Sequence, residues 1–163
     1  MSELRPRFAT VVFDVDSTLA AIEGIDWLAS LRDAAIAREC TELTDRAMAG
    51  EFPIDAVYVR RLVAIAPTAD ELAALGEAYR AAVVPGAAEL IAQLRAAGVD
   101  VHLLSGGLRV AILPLAAEFG VRADHVHAVL PGKPCQPWRI VAVVEPDRSV
   151  VGECHSRYRS EER

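Results

Sequence analysis

Asp14-Val15-Asp16 sets two carboxylates either side of one valine, directly after the apolar run Ala9-Thr10-Val11-Val12-Phe13 and before Ser17-Thr18. The β-branched run predicts a buried strand, in which alternate side chains share a face. Asp14 and Asp16 then point to one side and Val15 to the other. Like charges held that close repel each other and cost desolvation, so the pair predicts a metal site or a reaction centre. One carboxylate can attack an electrophile while the other protonates the leaving group and later activates water. For phosphoryl transfer, a magnesium ion would screen the negative nucleophile from the negative substrate. The blander reading makes both acids solvated loop residues or helix caps, but Ser17-Thr18 already offers caps.

Ser105-Gly106-Gly107 follows a second apolar run, Val99 to Leu104, and precedes a helical pattern. A hydroxyl, backbone N–H groups and a helix N-terminus together make an anion site. Strand-to-helix turns with glycines are common, and the motif gains meaning only from an acid pair on the neighbouring strand. Opposite those acids it becomes a phosphate cradle facing a nucleophile.

The elements that must position these groups are legible from periodicity. Helical spacing runs over Ile22–Ala37, about Ile36–Met48 with Gly50 and Pro53 as stop signals, and Ile54–Ile65. Thr68-Ala69-Asp70-Glu71 is a capping box that opens a helix through Val83. Ala87–Ala97 predicts a helix closed by a left-handed Gly98, and Arg109–Phe119 one closed by Gly120. Residues 124–130 read as a third strand. Alternation of this kind predicts an α/β fold with a parallel sheet and right-handed crossovers. The helices between the first two strands are too many for one crossover, so residues 20–83 are expected to form a helical cap over a core of 8–19 and 84–130. From Pro131 the grammar changes: 131–163 is turn-rich, with Ile140–Val144 and Val150-Val151 as a candidate hairpin and a charged end.

Bulk properties narrow the classes. The 163 residues fit one domain, and 53% hydrophobic content predicts a buried core. A net charge of −6 argues against nucleic acid or an anionic membrane as partner. No apolar stretch reaches the ~20 residues of a membrane span, and the polar N-terminus lacks a signal-peptide core. Cys40, Cys135 and Cys154 are too scattered for a disulfide framework or zinc site, which suits a reducing cytoplasm. His125 and His127 lack an obvious acidic or cysteine partner and read as partly buried or edge residues, not as metal ligands. Arg109 is read as solvated, since a cation there opposes the helix dipole. Oligomeric state is not specified by the sequence.

Phe13-Asp14-Val15-Asp16-Ser17-Thr18-Leu19, with Glu23 beyond it, resembles the first motif of haloacid-dehalogenase-type phosphatases, closest to their phosphoserine phosphatase branch. Val101-His102-Leu103-Leu104-Ser105-Gly106-Gly107 resembles their second motif, and the stretch Met48 to Pro53, Arg61-Leu62 and Ile65-Ala66-Pro67 is similar to that branch's cap. The resemblance covers about residues 8 to 129. It implies a Rossmann-like parallel sheet with a helical cap inserted after the first strand. It implies a magnesium-dependent phosphomonoesterase for O-phospho-L-serine, a small phosphorylated amino acid, acting through an aspartyl-phosphate. Asp14 would be the nucleophile and a magnesium ligand; Asp16 would be the general acid/base and give its carbonyl to the metal. Ser105, Gly106 and Gly107 would hold the phosphoryl group, Glu23 the substrate ammonium, and Arg61 its carboxylate. Met48 would pack beside the substrate; a core methionine is the equally acceptable reading.

The resemblance also implies a third-motif lysine and a fourth-motif Gly-Asp turn, and neither follows residue 107 in recognisable form. Lys133, the only lysine, is the sole candidate for the first, and Asp147 is a poor substitute for the second. The expectation is a truncated or frame-shifted core with weak magnesium affinity, little turnover and an open sheet edge. Two rivals stand beside the phosphoserine reading: a phosphotransferase or other small-molecule phosphatase, and a non-catalytic phosphate- or amino-acid-binding relative.

Overall fold

The computed structural model describes residues 8–52 and 54–130. Three strands, β1 (Thr10–Phe13), β2 (Asp100–Leu108) and β3 (Val126–Val129), form a parallel sheet in the order β1-β2-β3. Val12 lies beside His102, Phe13 beside Leu103, and Leu103 beside Val126. The pleat sorts β2 into two sets: Val101, Leu103 and Ser105 are buried, whereas Asp100, His102 and Leu104 face the other way and retain exposure.

Helix α5 (Ala87–Ala96) leads into β2, and α6 (Arg109–Glu118) connects β2 to β3. Right-handed crossovers in the same direction place both helices on one face of the sheet. The core forms there, with Ile91, Leu103, Leu108, Ile112 and Leu115 fully buried. The other face is open among the described residues: Val12 on β1 is 46% exposed, and β1 pairs only with β2.

Between β1 and α5 lie α1 (Gly24–Ser30), α2 (Ala34–Met48), α3 (Ile54–Ile65) and α4 (Ala69–Ala81). Helix α2 packs on α3, while α4 runs along α6, the most extensive contact between elements, and buries Leu75 and Tyr79. The expected capping box is present, with Thr68 Oγ1 accepting from Glu71 N–H and the Glu71 carboxylate accepting from Thr68 N–H. Gly98 takes φ 80° and Gly120 φ 66°, as their places after α5 and α6 require.

Four expectations are corrected. The predicted Ile22–Ala37 helix is two helices, because the Asp33 carboxylate accepts from Ala35 and Ile36 N–H at 2.9 and 3.0 Å and starts α2 afresh. Ser105-Gly106-Gly107 is not a turn at a helix N-terminus. β2 continues through it, with a register irregularity between Leu104 and Leu108, and Leu108 is the cap of α6. The third strand is shorter than 124–130, since Ala123–His125 forms a turn of 3-10 helix first. Arg109 is not simply solvated: its guanidinium donates to the Val126 and Ala123 carbonyls and fastens α6 to the third strand-forming segment. The expected stop at Pro53, the tail hairpin, Lys133 and Asp147 lie outside the described residues.

Candidate active site

The chain turns sharply after β1. The Val15 carbonyl accepts from Thr18, Leu19 and Ala20 N–H at 3.3, 3.0 and 3.0 Å, and Ser17 adopts φ 53°. A left-handed non-glycine residue in such a turn is strained backbone held by its surroundings. Val15 is buried beneath the turn, and Asp14 and Asp16 both line one pocket of about 280 Å³ at the carboxyl end of the sheet. Gly106 and Gly107 of β2 form its floor with them; Thr44 and Ala47 of α2 and Val57, Tyr58 and Arg61 of α3 face it from above.

Asp14 is exposed, and its Oδ1 accepts from Val15 N–H at 2.8 Å. Asp16 is held far more firmly. Its Oδ1 accepts from Tyr79 OH at 2.6 Å and Gly24 N–H at 2.8 Å, and its Oδ2 from Ser105 Oγ at 2.6 Å. Ser105 Oγ in turn accepts from Gly107 N–H at 2.7 Å. Burial above all, then the Asp16 charge, pushes the Tyr79 phenol far above its ordinary range, so it remains a donor. Two glycines make room. A Cβ on Gly107 would stand 2.9 Å from Tyr79 OH and 3.0 Å from Asp16 Oδ2, and one on Gly24 would collide with the Tyr79 hydroxyl.

Glu23 and Arg61 reach the same pocket. Glu23 Oε1 accepts from Ser17 Oγ at 2.6 Å, tying it to the acid-bearing turn. Arg61 is only 9% exposed and pairs through Nη2 with Asp26 of α1. Its Nε is buried and has no hydrogen-bond partner among the described residues, a donor whose burial is uncompensated there. Met48 is not brought to the site: at the C-terminal end of α2 it is 76% exposed and lines no part of the pocket, because Thr44, one turn earlier, and the adjacent Ala47 occupy the facing side.

Tyr79, Gly24 and Asp26 are site residues that sequence reasoning missed. A signal existed for Tyr79, which falls on the buried Leu75-Tyr79 stripe of α4, where a phenol needs a polar partner. The reading of His125 as lacking an acidic partner is also corrected, whereas His127 meets His102. His125 stacks on His102 with centroids 4.0 Å apart, and Asp100 lies beside both. Burial, followed by the neighbouring His102, His125 and Arg109, holds the His127 imidazole below its ordinary range.

An acid pair on the turn that follows a strand, under helices and opposite a serine-glycine strand end, defines a class. The chain belongs to the haloacid dehalogenase-like hydrolases, whose family model matches residues 11–150. Among curated relatives it is similar to mouse phosphoserine phosphatase, 36% identical over 130 residues that make up 78% of this chain and 57% of that protein. The chain thus spans little more than half the length of that relative. A phosphoserine phosphohydrolase-like protein of Francisella tularensis shares the fold, with a TM-score of 0.66 at 22% identity over 91% of this chain and 66% of that one. A phosphoserine phosphatase solved as a phospho-aspartyl intermediate analogue aligns with a TM-score of 0.52 and 26% identity over 76% of this chain and 56% of its own.

Proposed function

We propose that this chain carries the active site of a magnesium-dependent phosphomonoesterase that hydrolyses O-phospho-L-serine to L-serine and phosphate. The observation that carries the reading is Arg61: a nearly buried arginine lining the pocket that also holds Asp14, Asp16 and Glu23, with its Nε unpartnered among the described residues. A phosphate ester alone needs no such group across the pocket from the acids. A substrate bearing a carboxylate and an ammonium accounts for Arg61 and Glu23 together.

In this mechanism an Asp14 carboxylate oxygen attacks phosphorus, and the bond from phosphorus to the seryl oxygen breaks. Asp16 gives that oxygen its proton. Asp16 then takes a proton from the water that attacks the aspartyl-phosphate, releasing phosphate and restoring Asp14. Ser105 has two roles: its hydroxyl holds Asp16 in the resting site and turns to the phosphoryl oxygens when substrate arrives, freeing Asp16 Oδ2 for proton transfer. Tyr79 and Gly24 keep the other oxygen fixed. The exposed Asp14 carboxylate and the Asp16 carbonyl are hard oxygen donors that suit magnesium, which when bound offsets the charge of nucleophile and phosphate. Positioning and electrostatics supply most of the rate.

The test is calorimetry with L-phosphoserine beside a phosphate-release assay with and without MgCl2, on the full chain and Asp14→Asn. The expected result is binding by both proteins and a magnesium-dependent release that is slow, because no third-motif lysine or fourth-motif aspartate is recognisable in the sequence, and that Asp14→Asn abolishes. Binding with no release from either would leave a binding module, and failure to bind would overturn the assignment.

A further inference from the structure

The open face of the sheet gathers a second set of groups, remote from the acid pocket. It bears Asp100 and His102 of β2, His127 of β3 and, from the preceding turn, His125: three of the chain's four histidines. Asp100 and His102 share that face because they are two residues apart on a strand. The pairing of Leu103 with Val126 brings His125 level with His102, and their rings stack at 12°. Asp100 Oδ2 lies 3.2 Å from His102 Nε2, and Oδ1 lies 3.2 Å from His125 Nδ1. One ligand atom from each of the three residues falls within 4.8 Å of the others.

We propose that Asp100, His102 and His125 bind a divalent transition-metal ion of the zinc class. Bonds of 2.0–2.1 Å in a tetrahedron separate ligand atoms by about 3.3 Å; each histidine already stands at that distance from one Asp100 oxygen, and a tilt of the rings out of their stack would bring both lone pairs to one ion. The second sphere is in place as well. His102 Nδ1 is 3.1 Å from His127 Nε2, and a proton shared there leaves the Nε2 lone pair of His102 for the metal. His125 Nδ1 also lies 3.2 Å from the Val101 carbonyl and gives up that contact on ligation. Asp100 is half exposed, which leaves an entry path and room for a water as fourth ligand. Two imidazoles and one carboxylate suit zinc; magnesium prefers an all-oxygen octahedron. Five residues of strand, about 16 Å, separate Asp100 from Ser105, and the two side chains face opposite ways. The bound ion would staple the 3-10 turn that leads into β3 to β2, and a ligand that binds only the folded chain raises its stability by mass action.

An ion pair between Asp100 and a protonated histidine stack would give similar distances without metal, so the experiment must separate the two. Zinc binding by the full chain is measured by calorimetry and thermal melting in a Cys135→Ser/Cys154→Ser background, which removes the competing thiolates. Expected are one equivalent of zinc, a rise in Tm with ZnCl2 that Asp100→Asn removes, a response to MgCl2 that Asp100→Asn leaves unchanged, and unchanged phosphoserine binding. Asp100→Asn and His125→Ala should each weaken zinc more than tenfold, and His127→Ala about tenfold through the second sphere. Asp100 is exposed, so Asp100→Asn keeps the test decisive if His125→Ala fails to fold. Zinc affinity unaltered by Asp100→Asn, or absent once the cysteines are removed, would overturn the proposal.

Discussion

Tyr79 OH donates a 2.6 Å hydrogen bond to Asp16 Oδ1, joining a helix of the interhelical core to the acid turn across 63 residues of chain. Tyr79 is fully buried, and the same carboxylate oxygen accepts from Gly24 N–H. The orientation of Asp16 therefore depends on how α4 packs against α6, and not only on the turn that bears it.

Tyr79→Phe keeps the packing and removes the hydroxyl. Losing one charge-assisted bond to a part-buried carboxylate should cost about 1.5–3 kcal/mol in denaturant unfolding. It should lower kcat for phosphoserine about tenfold with little change in KM, because Asp16 acts on the leaving group and not on substrate binding. A KM effect without a kcat effect would count against that role.

Arg61→Lys retains charge but loses the fork and the Nε donor. Phosphoserine affinity should fall about tenfold or more, since an ammonium cannot reproduce the planar contact. O-phosphoethanolamine, which has no carboxylate, should bind wild type and variant alike. Asp26→Asn should show a weaker form of the same pattern, because Asp26 orients Arg61 through their ion pair.

Adjacent glycines should respond differently to one methyl group. At Gly107 a Cβ would press on Tyr79 OH, Asp16 Oδ2 and Ser105 Oγ at 2.9–3.0 Å, so Gly107→Ala should destabilise the chain by about 1–3 kcal/mol. At Gly106 nothing lies within 4 Å, and Gly106→Ala should melt close to wild type. Thermal or denaturant melts of the two variants make the comparison.

Acid stability should carry the signature of Glu71. The Arg32 guanidinium, bonded to both its oxygens at 2.6 and 2.7 Å, and then the Thr68 N–H hold its carboxyl down to about 2 from 4.5. A carboxyl depressed by folding contributes stability that is complete above its unfolded value and is lost as pH falls through its folded one. The difference in Tm between wild type and Glu71→Gln should be constant above about pH 5 and shrink toward pH 2. A difference that grew on acidification would contradict this.

Much was legible in the primary structure because the signals were local. The apolar run before Asp14 declared a strand, although a turn and not strand pleating carries both acids to one pocket; Thr68 and Glu71 declared a helix start, and Gly98 and Gly120 declared helix ends. Errors arose where a local signal had two solutions. Apolar spacing from Ile22 to Ala37 suits one helix or two, and only the Asp33 cap selects the second. Ser105-Gly106-Gly107 suits a turn or an irregular strand, and pairing with β3 on the far side of the irregularity draws it into the sheet.

Sequence alone thus determined the acid pair, the parallel α/β order and the helix ends that caps and glycines mark, since backbone sterics and hydrogen bonding act over a few residues. Tertiary structure decided which distant groups meet: Tyr79 with Asp16, Asp26 with Arg61, and His125 with His102 and Asp100. Those meetings follow from packing and strand register, which no local pattern encodes, and they also turned Met48 to the surface.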